Sequence, residues 1–551
     1  MYKRQTEDSL LEPRANSFLA ALSDGGGDLG IAWLDLSTGD LLVQSLADSD
    51  LPACLARLEP KEVLVPERLL QRTSLFDVFG EIRDRLAPQP GARFDPEAGR
   101  RCLERTYQVG TLDGFGRFST AEIAAAGALI AYVELTQKGR MPPLRRPRRV
   151  ARGAVMEIDP ATRRNLELVR GPSGGREGSL LAVIDRSITG PGARLLAGYL
   201  SSPLTDPEAI GQRLDLVGFW LANETARAEV RGLLTGMPDL ERAVSRLSLG
   251  RGGPRDLAAV RDGLGRVAGL RLGATRPALT PVPPVLAAAL RDLGEHSALV
   301  ERLTRALGPD LPLLARDGGF IAREYAPQLD ELILLRDEGR RLVAGLQARY
   351  AEATQIGALK VKHNNVLGYH VEVSAAQADK LMAGRHRELF IHRQTTASAV
   401  RFTTAELADL ERRIAEAGDR ALATELALFE DLVREVTGRA EEVLCCARAA
   451  AVLDVGAGLA ELAAERGWCR PEVDGGVDFQ IVRGRHPVVE NALLAEGARP
   501  FVPNDCDLSP ERRLWLLTGP ARPERTTPSA PAPASGRSAA GRWTCRPCWA
   551  R

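Results

Sequence analysis

The order of apolar and polar positions divides this chain into stretches of different texture. Residues 28–44, "DLGIAWLDLSTGDLLVQ", alternate around Ser37-Thr38-Gly39-Asp40, which predicts a β-hairpin. "KEVLVPERLL" (61–70) predicts a short strand followed by a helix start, and 119–137 carries a helical period. Residues 1–137 are therefore expected to form an α/β unit whose first strands are antiparallel. From residue 160 to 350 the pattern is mostly helical, punctuated by Gly and Pro at 171–176, 250–254 and 273–284.

Two longer periods follow, at 321–351 and 405–465. In the second, Leu407, Leu410, Ile414, Ala417 and Ala421 form one stripe. It drifts by one position and continues through Leu422, Phe429, Val433, Val436, Ala440 and Val443. A pattern of this length predicts a lever-like helix, expected to lie beside the first one. Between them "LKVKHNNVLGYHVEVS" (359–374) sets Tyr369, Val371 and Val373 against His370 and Glu372, which predicts two strands turning near Asn364-Asn365. "RELFIHRQTTASAVRFTT" (387–404) predicts a second strand pair. A small β-rich insert thus interrupts a helical hairpin. Residues 356–402 hold seven Lys or Arg against three acidic residues, and four of the six His. That balance suits contact with a phosphate backbone, and it also describes an ordinary solvated face.

Residues 466–520 change again. "VDFQIVRGRHPVVE" predicts a strand, a turn and an extended His-Pro segment, and Leu514 to Leu517 predict a buried strand ending at Thr518-Gly519-Pro520. A phosphate-binding loop would continue G-x-x-x-x-G-K-[ST], with backbone amides around the phosphates and the Lys on the outer ones. Counting from Gly519, those three places hold Glu524, Arg525 and Thr526, so the Gly and Lys are missing.

Composition narrows the class. With 44% apolar and 26% charged residues the chain is of ordinary globular type. It has no run of about 18 apolar residues and no apolar leader after "MYKRQTEDSL", so a cytoplasmic protein is expected. The eight Cys are scattered and read as reduced thiols. The net charge of +1 hides a basic tail: residues 521–551 carry six Arg and one acidic residue, with no Leu, Ile, Val, Phe, Met or Lys. Such a segment cannot bury a core and reads as disordered or foreign. Cys545 and Cys548 have zinc-like spacing, but a single CxxC supplies too few ligands. Five Arg between 145 and 152 stand in a Pro/Arg linker, read as a solvated connector or a phosphate contact. No GxSxG or HExxH is present, and His486 and Phe501, taken alone, read as structural.

Several stretches, in this order, resemble the MutS family of DNA mismatch-repair proteins: "TEDSLLEPRANSFLAAL" (6–22), "EIDPATRRNLEL" (157–168), "GSLLAVIDRSITGPGARLLAGYLSSPL" (178–204), "DLERAVSRLSLGRGGPRDL" (239–257), "LGYHVEVS" (367–374) and "FIHRQTTASAVRFTT" (390–404). "GRHPVVE" paired with "FVPNDCDLS…RLWLLTGP" is the most specific. The resemblance implies a multidomain α and α/β fold. Residues 1–14 would be the remnant of a mismatch-binding domain, 15–137 an RNase-H-like connector domain and 138–154 a linker. Residues 155–355 would be the core and first lever helices, 356–404 the clamp, 405–465 the returning lever and 466–520 the start of a P-loop ATPase domain.

The same resemblance implies site residues. Lys360, Lys362, Arg393, Gln394, Thr395, Ser398 and Arg401 would contact the DNA backbone. Phe501 would lie against adenine, and Thr518, Gly519 and Pro520 would be the stub of the nucleotide loop. The family binds duplex, mismatched DNA as a homodimer, cycles ATP and ADP with Mg²⁺, and recruits a MutL-type partner. This chain departs from it twice. The Phe-x-Glu mismatch-reading domain is expected to be absent ahead of "TEDSLL", and "TGP" continues as A-R-P-E-R-T-T where the family has N-M-x-G-K-S-T. Read in a frame two bases away, codons for Arg522 to Arg525 can spell Ala-Gly-Lys, so 521–551 is expected to be a frameshifted tail. The expected product lacks Walker A and B motifs, is inactive as an ATPase, keeps non-specific DNA clamping and resides in the cytoplasm with the nucleoid. Two rival readings are a paralogue acting on branched or recombining DNA and a helical interaction module without a DNA function.

Overall fold

The computed structural model describes residues 12–275, 279–364, 367–383, 386–396, 398–497, 499–509 and 511–515. Most of the expected N-terminal remnant, Thr518 to Pro520 and the tail from 521 lie outside the described residues. The chain divides into two compact units. One is built from Met1–Gly252, Ala259–Val300 and Val436–Arg551, the other from Gly253–Ala258 and Glu301–Glu435.

The predicted hairpin opens the sheet of the first unit. Strands β1 (Phe18–Asp24), β2 (Leu29–Asp35) and β3 (Asp40–Leu46) form an antiparallel meander, with Asp35 opposite Asp40 across the turn. Strands β4 (Glu62–Pro66) and β5 (Leu86–Gln89) add parallel outside β1, and the short β6 (Arg148–Arg149) adds parallel to β3. The order is β5-β4-β1-β2-β3-β6. Every residue of β2 is buried because both faces of the sheet are covered. Helices Pro96–Tyr107 and Thr120–Thr136 close one face, and helix Leu51–Leu58 closes the other. Ser119 starts the Thr120–Thr136 helix with a capping box, bonding the Glu122 amide while the Glu122 carboxylate takes the Ser119 amide. This helix meets its neighbour backbone to backbone: a Cβ on Gly127 would stand 2.2 Å from the Gly99 Cα. The helix start expected after β4 is a 3₁₀ turn, Glu67–Gln71.

The Pro/Arg stretch lays β6 onto the sheet, and each of its five arginines faces a carboxylate, while Arg146, Arg148, Arg149 and Arg152 remain exposed to solvent. Arg145 meets Glu241 at 2.6 Å, Arg146 meets Glu441 at 3.1 Å and Arg149 meets Glu122 at 2.8 Å. Arg148 reaches Asp40 at 3.7 Å and Arg152 reaches Asp50 at 3.2 Å. The partners lie far away in sequence, so nothing local announces them. Between residues 160 and 300 and over 440–466 this unit is helical, and it centres on helix Ala440–Arg466. That helix is long and apolar enough to cross a membrane by composition, but most of its apolar stretch is buried inside the unit. Its one fully buried carboxylate, Asp454, accepts from the Ile188 and Thr189 amides and the Thr189 hydroxyl at 2.6–3.1 Å.

In the second unit, helix Pro327–Thr354 runs antiparallel beside the first part of helix Ala405–Gly438. Gly339 faces Ile414, and Arg349 pairs with Glu406 at 2.5 Å. The expected continuous lever over 405–465 is two helices, because Arg439 leaves helical geometry (φ −108°, ψ 20°) between Gly438 and Ala440. At the far end of the pair sits a four-stranded sheet of order β7-β8-β10-β9: β7 (Lys360–Asn364), β8 (Gly368–Val373), β9 (Ile391–Thr395) and β10 (Val400–Thr403). Helix Ala375–Met382, which the sequence reading did not foresee, joins the two hairpins.

Residues 466–515 also differ from expectation. Strands β11 (Phe479–Gly484) and β12 (Asn504–Leu508) pair antiparallel, but the His-Pro segment is extended only at His486, and Pro487 begins a helix. His486 caps helix Pro487–Ala495, its Nδ1 accepting the Val489 amide at 3.3 Å. A Pro in the first turn of a helix lacks only an N–H that has no partner there. Leu514 and Trp515, expected to begin a buried strand, are in no strand, and Leu514 is 79% exposed.

Candidate nucleic-acid interface

The four-stranded sheet has one apolar and one polar face, because alternate residues of a strand point to opposite sides. Val361, Val371, Val373, Val400 and Phe402 line the first. They pack with Val343, Leu346 and Tyr350 of helix Pro327–Thr354 and with Leu407 and Leu410 of helix Ala405–Gly438. Tyr350 and Thr404 join hydroxyls at 2.8 Å, and Gln347 accepts the Val361 amide at 2.8 Å. The strands are thereby fixed to the helices that carry them. Gly368 closes the first hairpin with φ +67°, and a Cβ there would collide with Glu411, which accepts the Tyr369 amide at 3.1 Å.

The opposite face carries a row of polar side chains across all four strands. Register places Lys360 opposite Glu372, Glu372 opposite Arg401, and Arg401 opposite Gln394. Lys362 Nζ is 2.6 Å from Glu372 Oε1, and Arg401 Nε is 3.2 Å from Glu372 Oε2. Arg401 Nη1 donates to Gln394 Oε1 at 2.9 Å. The Lys362 hydrogen bond, aided by Arg401 and opposed by burial, holds the Glu372 carboxyl below the usual range. His370, opposite Lys362 on the same face but buried, keeps Nδ1 3.0 Å from the Gly368 carbonyl. Two cations therefore share one carboxylate, and Lys360 stands exposed with no ion-pair partner among the described residues.

The sheet brings together the seven residues expected to contact the DNA backbone, in different settings. Lys360 and Lys362 are on β7, and Gln394 and Arg401 complete the polar row. Arg393 occupies the irregularity where β9 shifts register against β10, is exposed, and has no ion-pair partner among the described residues. Thr395 is exposed on the edge strand with its hydroxyl 2.9 Å from His392 Nε2, and Ser398 is exposed in the β9–β10 turn. The sequence reading missed Glu372. Its face was legible from the alternation in "LGYHVEVS", but its pairing with Lys362 and Arg401 is a matter of register between strands. Phe501 is half-buried ahead of β12, in the first unit.

Two family models match the chain. That of MutS domain II covers residues 17–145, the stretch that supplies β1–β5 and the helices on them. That of MutS domain III covers residues 161–460, more than half of the chain. The chain belongs to the MutS family. It is a mixed α/β, multidomain chain of the mismatch-repair, DNA-binding type. The polar sheet lies wholly within the MutS domain III match, whereas Phe501 and Thr518 to Pro520 lie beyond both matches.

Proposed function

We propose that this MutS-family chain holds duplex DNA by its phosphate backbone through the polar face and outer edge of the β7–β10 sheet, without reading a mispair. The observation that carries the proposal is the cross-strand row Lys360–Glu372–Arg401–Gln394, flanked by Lys362 and Arg393, on a sheet whose other face is anchored in a core. Cations on a rigid platform attract phosphates without regard to sequence, and the attraction weakens as salt rises. A homodimer encircling the duplex and a MutL-type partner belong to the same reading.

The residues present do not fit a nucleotide. Residues 511–515, which would lead a strand into the phosphate loop, form no strand, and the sequence after Gly519 lacks the Gly and Lys of that loop. Phosphoryl transfer needs those groups to position and neutralise the phosphates. The purified chain is expected to show no Mg²⁺-dependent ATP turnover, and turnover above a protein-free control would overturn that expectation.

The test of DNA holding is fluorescence anisotropy with the full chain, using a matched duplex and one with a single mispair, across a salt series. Both duplexes are expected to bind alike, with affinity falling steeply with salt. The double variant Lys360→Ala/Arg393→Ala is expected to flatten the log–log salt slope by about 0.9 for each phosphate that is no longer neutralised. Binding that ignores salt, or a variant slope equal to that of the unmodified chain, would remove the proposal.

Glu372→Gln is expected to act the other way. It frees Lys362 and Arg401 from their shared carboxylate while keeping an acceptor in place, so duplex affinity rises and the salt slope steepens. An unchanged affinity would mean that these two cations do not face DNA.

A further inference from the structure

A second cationic feature lies away from the sheet, in a cleft between helix Leu51–Leu58 and helix Pro160–Asn165 of the first unit. The cleft is narrow, with a cavity volume of about 10 Å³, room for one particle near the size of a water molecule. Arg57 and Arg163 both line it, and each is only 8% exposed. Arg57 is fixed in place: its Nη2 donates to Gln44 Oε1 at 2.6 Å and to Cys54 Sγ at 3.4 Å, and its guanidinium lies 5.6 Å from the centre of the Trp33 ring. Arg163 donates from Nη2 to the Ser201 carbonyl at 2.9 Å. The other edges of the two groups have no acceptor. Arg57 Nε, Arg163 Nε and Arg163 Nη1 are all buried without a hydrogen-bond partner.

No carboxylate among the described residues lies within 4.0 Å of either guanidinium. The acids nearby, of which Asp50 and Glu157 themselves line the cleft, are engaged elsewhere or exposed. Asp50 is bound by Arg152 at 3.2 Å, Glu59 is bound by Arg170 at 2.5 Å, and Glu157 sits exposed on the rim. Burial, with repulsion from Arg57 behind it and only partly offset by Glu59, holds the Arg163 guanidinium below its ordinary value. Two buried like charges with unused donors therefore have no counter-charge in direct contact. A water molecule would satisfy the donors and leave the charge as it is. An anion satisfies both, and guanidinium groups match oxyanions and halides in hydrogen-bond geometry.

We infer that this cleft binds a small inorganic anion, a halide or an oxygen of phosphate, between Arg57 and Arg163. The ion bridges the helix that covers the six-stranded sheet and the first helix of the MutS domain III region. It therefore joins these two parts of the unit, and it does so independently of DNA binding by the β7–β10 sheet.

The test uses the full chain. Thermal unfolding is followed in sodium chloride, sodium phosphate and sodium gluconate at matched ionic strength. A saturable rise in Tm is expected with chloride or phosphate and none with gluconate, which is too bulky for the cleft. Phosphate also stabilises proteins generally by exclusion from their surface, so the readout is the difference from Arg163→Met. That variant is expected to lose the saturable part and keep only the general one, with no loss of Tm in gluconate. The half-saturating concentrations identify the source, a lower one for phosphate assigning the oxyanion and a lower one for chloride the halide. Should Arg163→Met fail to fold, bromide-soaked crystals of the unmodified chain decide the matter. An anomalous peak between the two guanidinium groups supports the site, and no peak overturns it. Equal Tm shifts in all three salts, or shifts retained in Arg163→Met, also overturn it.

Discussion

Glu241→Ala is expected to destabilise the first unit by about 3–5 kcal/mol, the cost of breaking a buried ion pair from one side. Glu241 is 6% exposed and lies between two guanidinium groups, Arg145 at 2.6 Å and Arg194 at 2.7 Å. Arg194 is also held by Asp239 at 2.7 and 3.1 Å and by the Pro13 carbonyl at 2.8 Å. Burial works against the Arg194 charge, but Asp239 and Glu241 outweigh it and hold the group above its ordinary value. Removing Glu241 leaves two cations facing each other with one counter-ion fewer, at the place where the linker meets the helical region. Glu241→Gln keeps the shape and one acceptor, so a smaller loss is expected. The measurement is urea unfolding of both variants, read at the first transition because a chain of two units need not unfold in one step. A loss below about 1 kcal/mol for the alanine variant would mean that water replaces the carboxylate without penalty.

Glu425→Ala is expected to have a comparable effect in the second unit, about 3 kcal/mol or more, because it leaves buried backbone donors unmatched. The Glu425 carboxylate accepts the amides of Gly319 at 2.7 Å and of Phe320 and Ile321 at 3.2 Å each. It thereby fixes the segment that leads toward helix Pro327–Thr354. Phe320 is fully buried and packs edge-on against Phe429, one helical turn beyond Glu425, at 5.9 Å between ring centres. Hydrogen exchange is the direct measurement. The amides of 319–321 are expected to exchange much faster in Glu425→Ala, and Glu425→Gln to retain part of the protection. Unchanged protection would show that the segment is held by the aromatic contact alone. Helices Pro327–Thr354 and Ala405–Gly438 carry the polar sheet, so weaker duplex binding by Glu425→Ala is expected as well.

The same residues show how far local pattern reaches. The β2–β3 hairpin, the Thr120–Thr136 helix and both hairpins of the polar sheet are legible because each is specified by neighbours in the chain: a turn sequence, a helical period, an alternation of period two. Two misreadings concern places where one residue alters a local preference. His486 turned an apparently extended His-Pro segment into a capped helix, and Arg439 divided what the periodicity presented as one lever. Periodicity follows the faces of a helix, and those faces continue almost unchanged across a one-residue break.

The sequence by itself determined the class of this protein: the succession of α/β, helical and β-rich stretches, the excess of cations over 356–402, and the departure from a phosphate-binding loop after Gly519. Only the tertiary structure decided where the charges go. Of the two cationic clusters legible in the sequence, the arginines of 145–152 all meet carboxylates, whereas Lys360 and Arg393 stay exposed and unpaired among the described residues. Composition does not separate these outcomes, because an ion pair such as Arg145–Glu241 joins residues 96 positions apart. Whether such residues meet is set by strand register and helix packing, which belong to the folded chain as a whole.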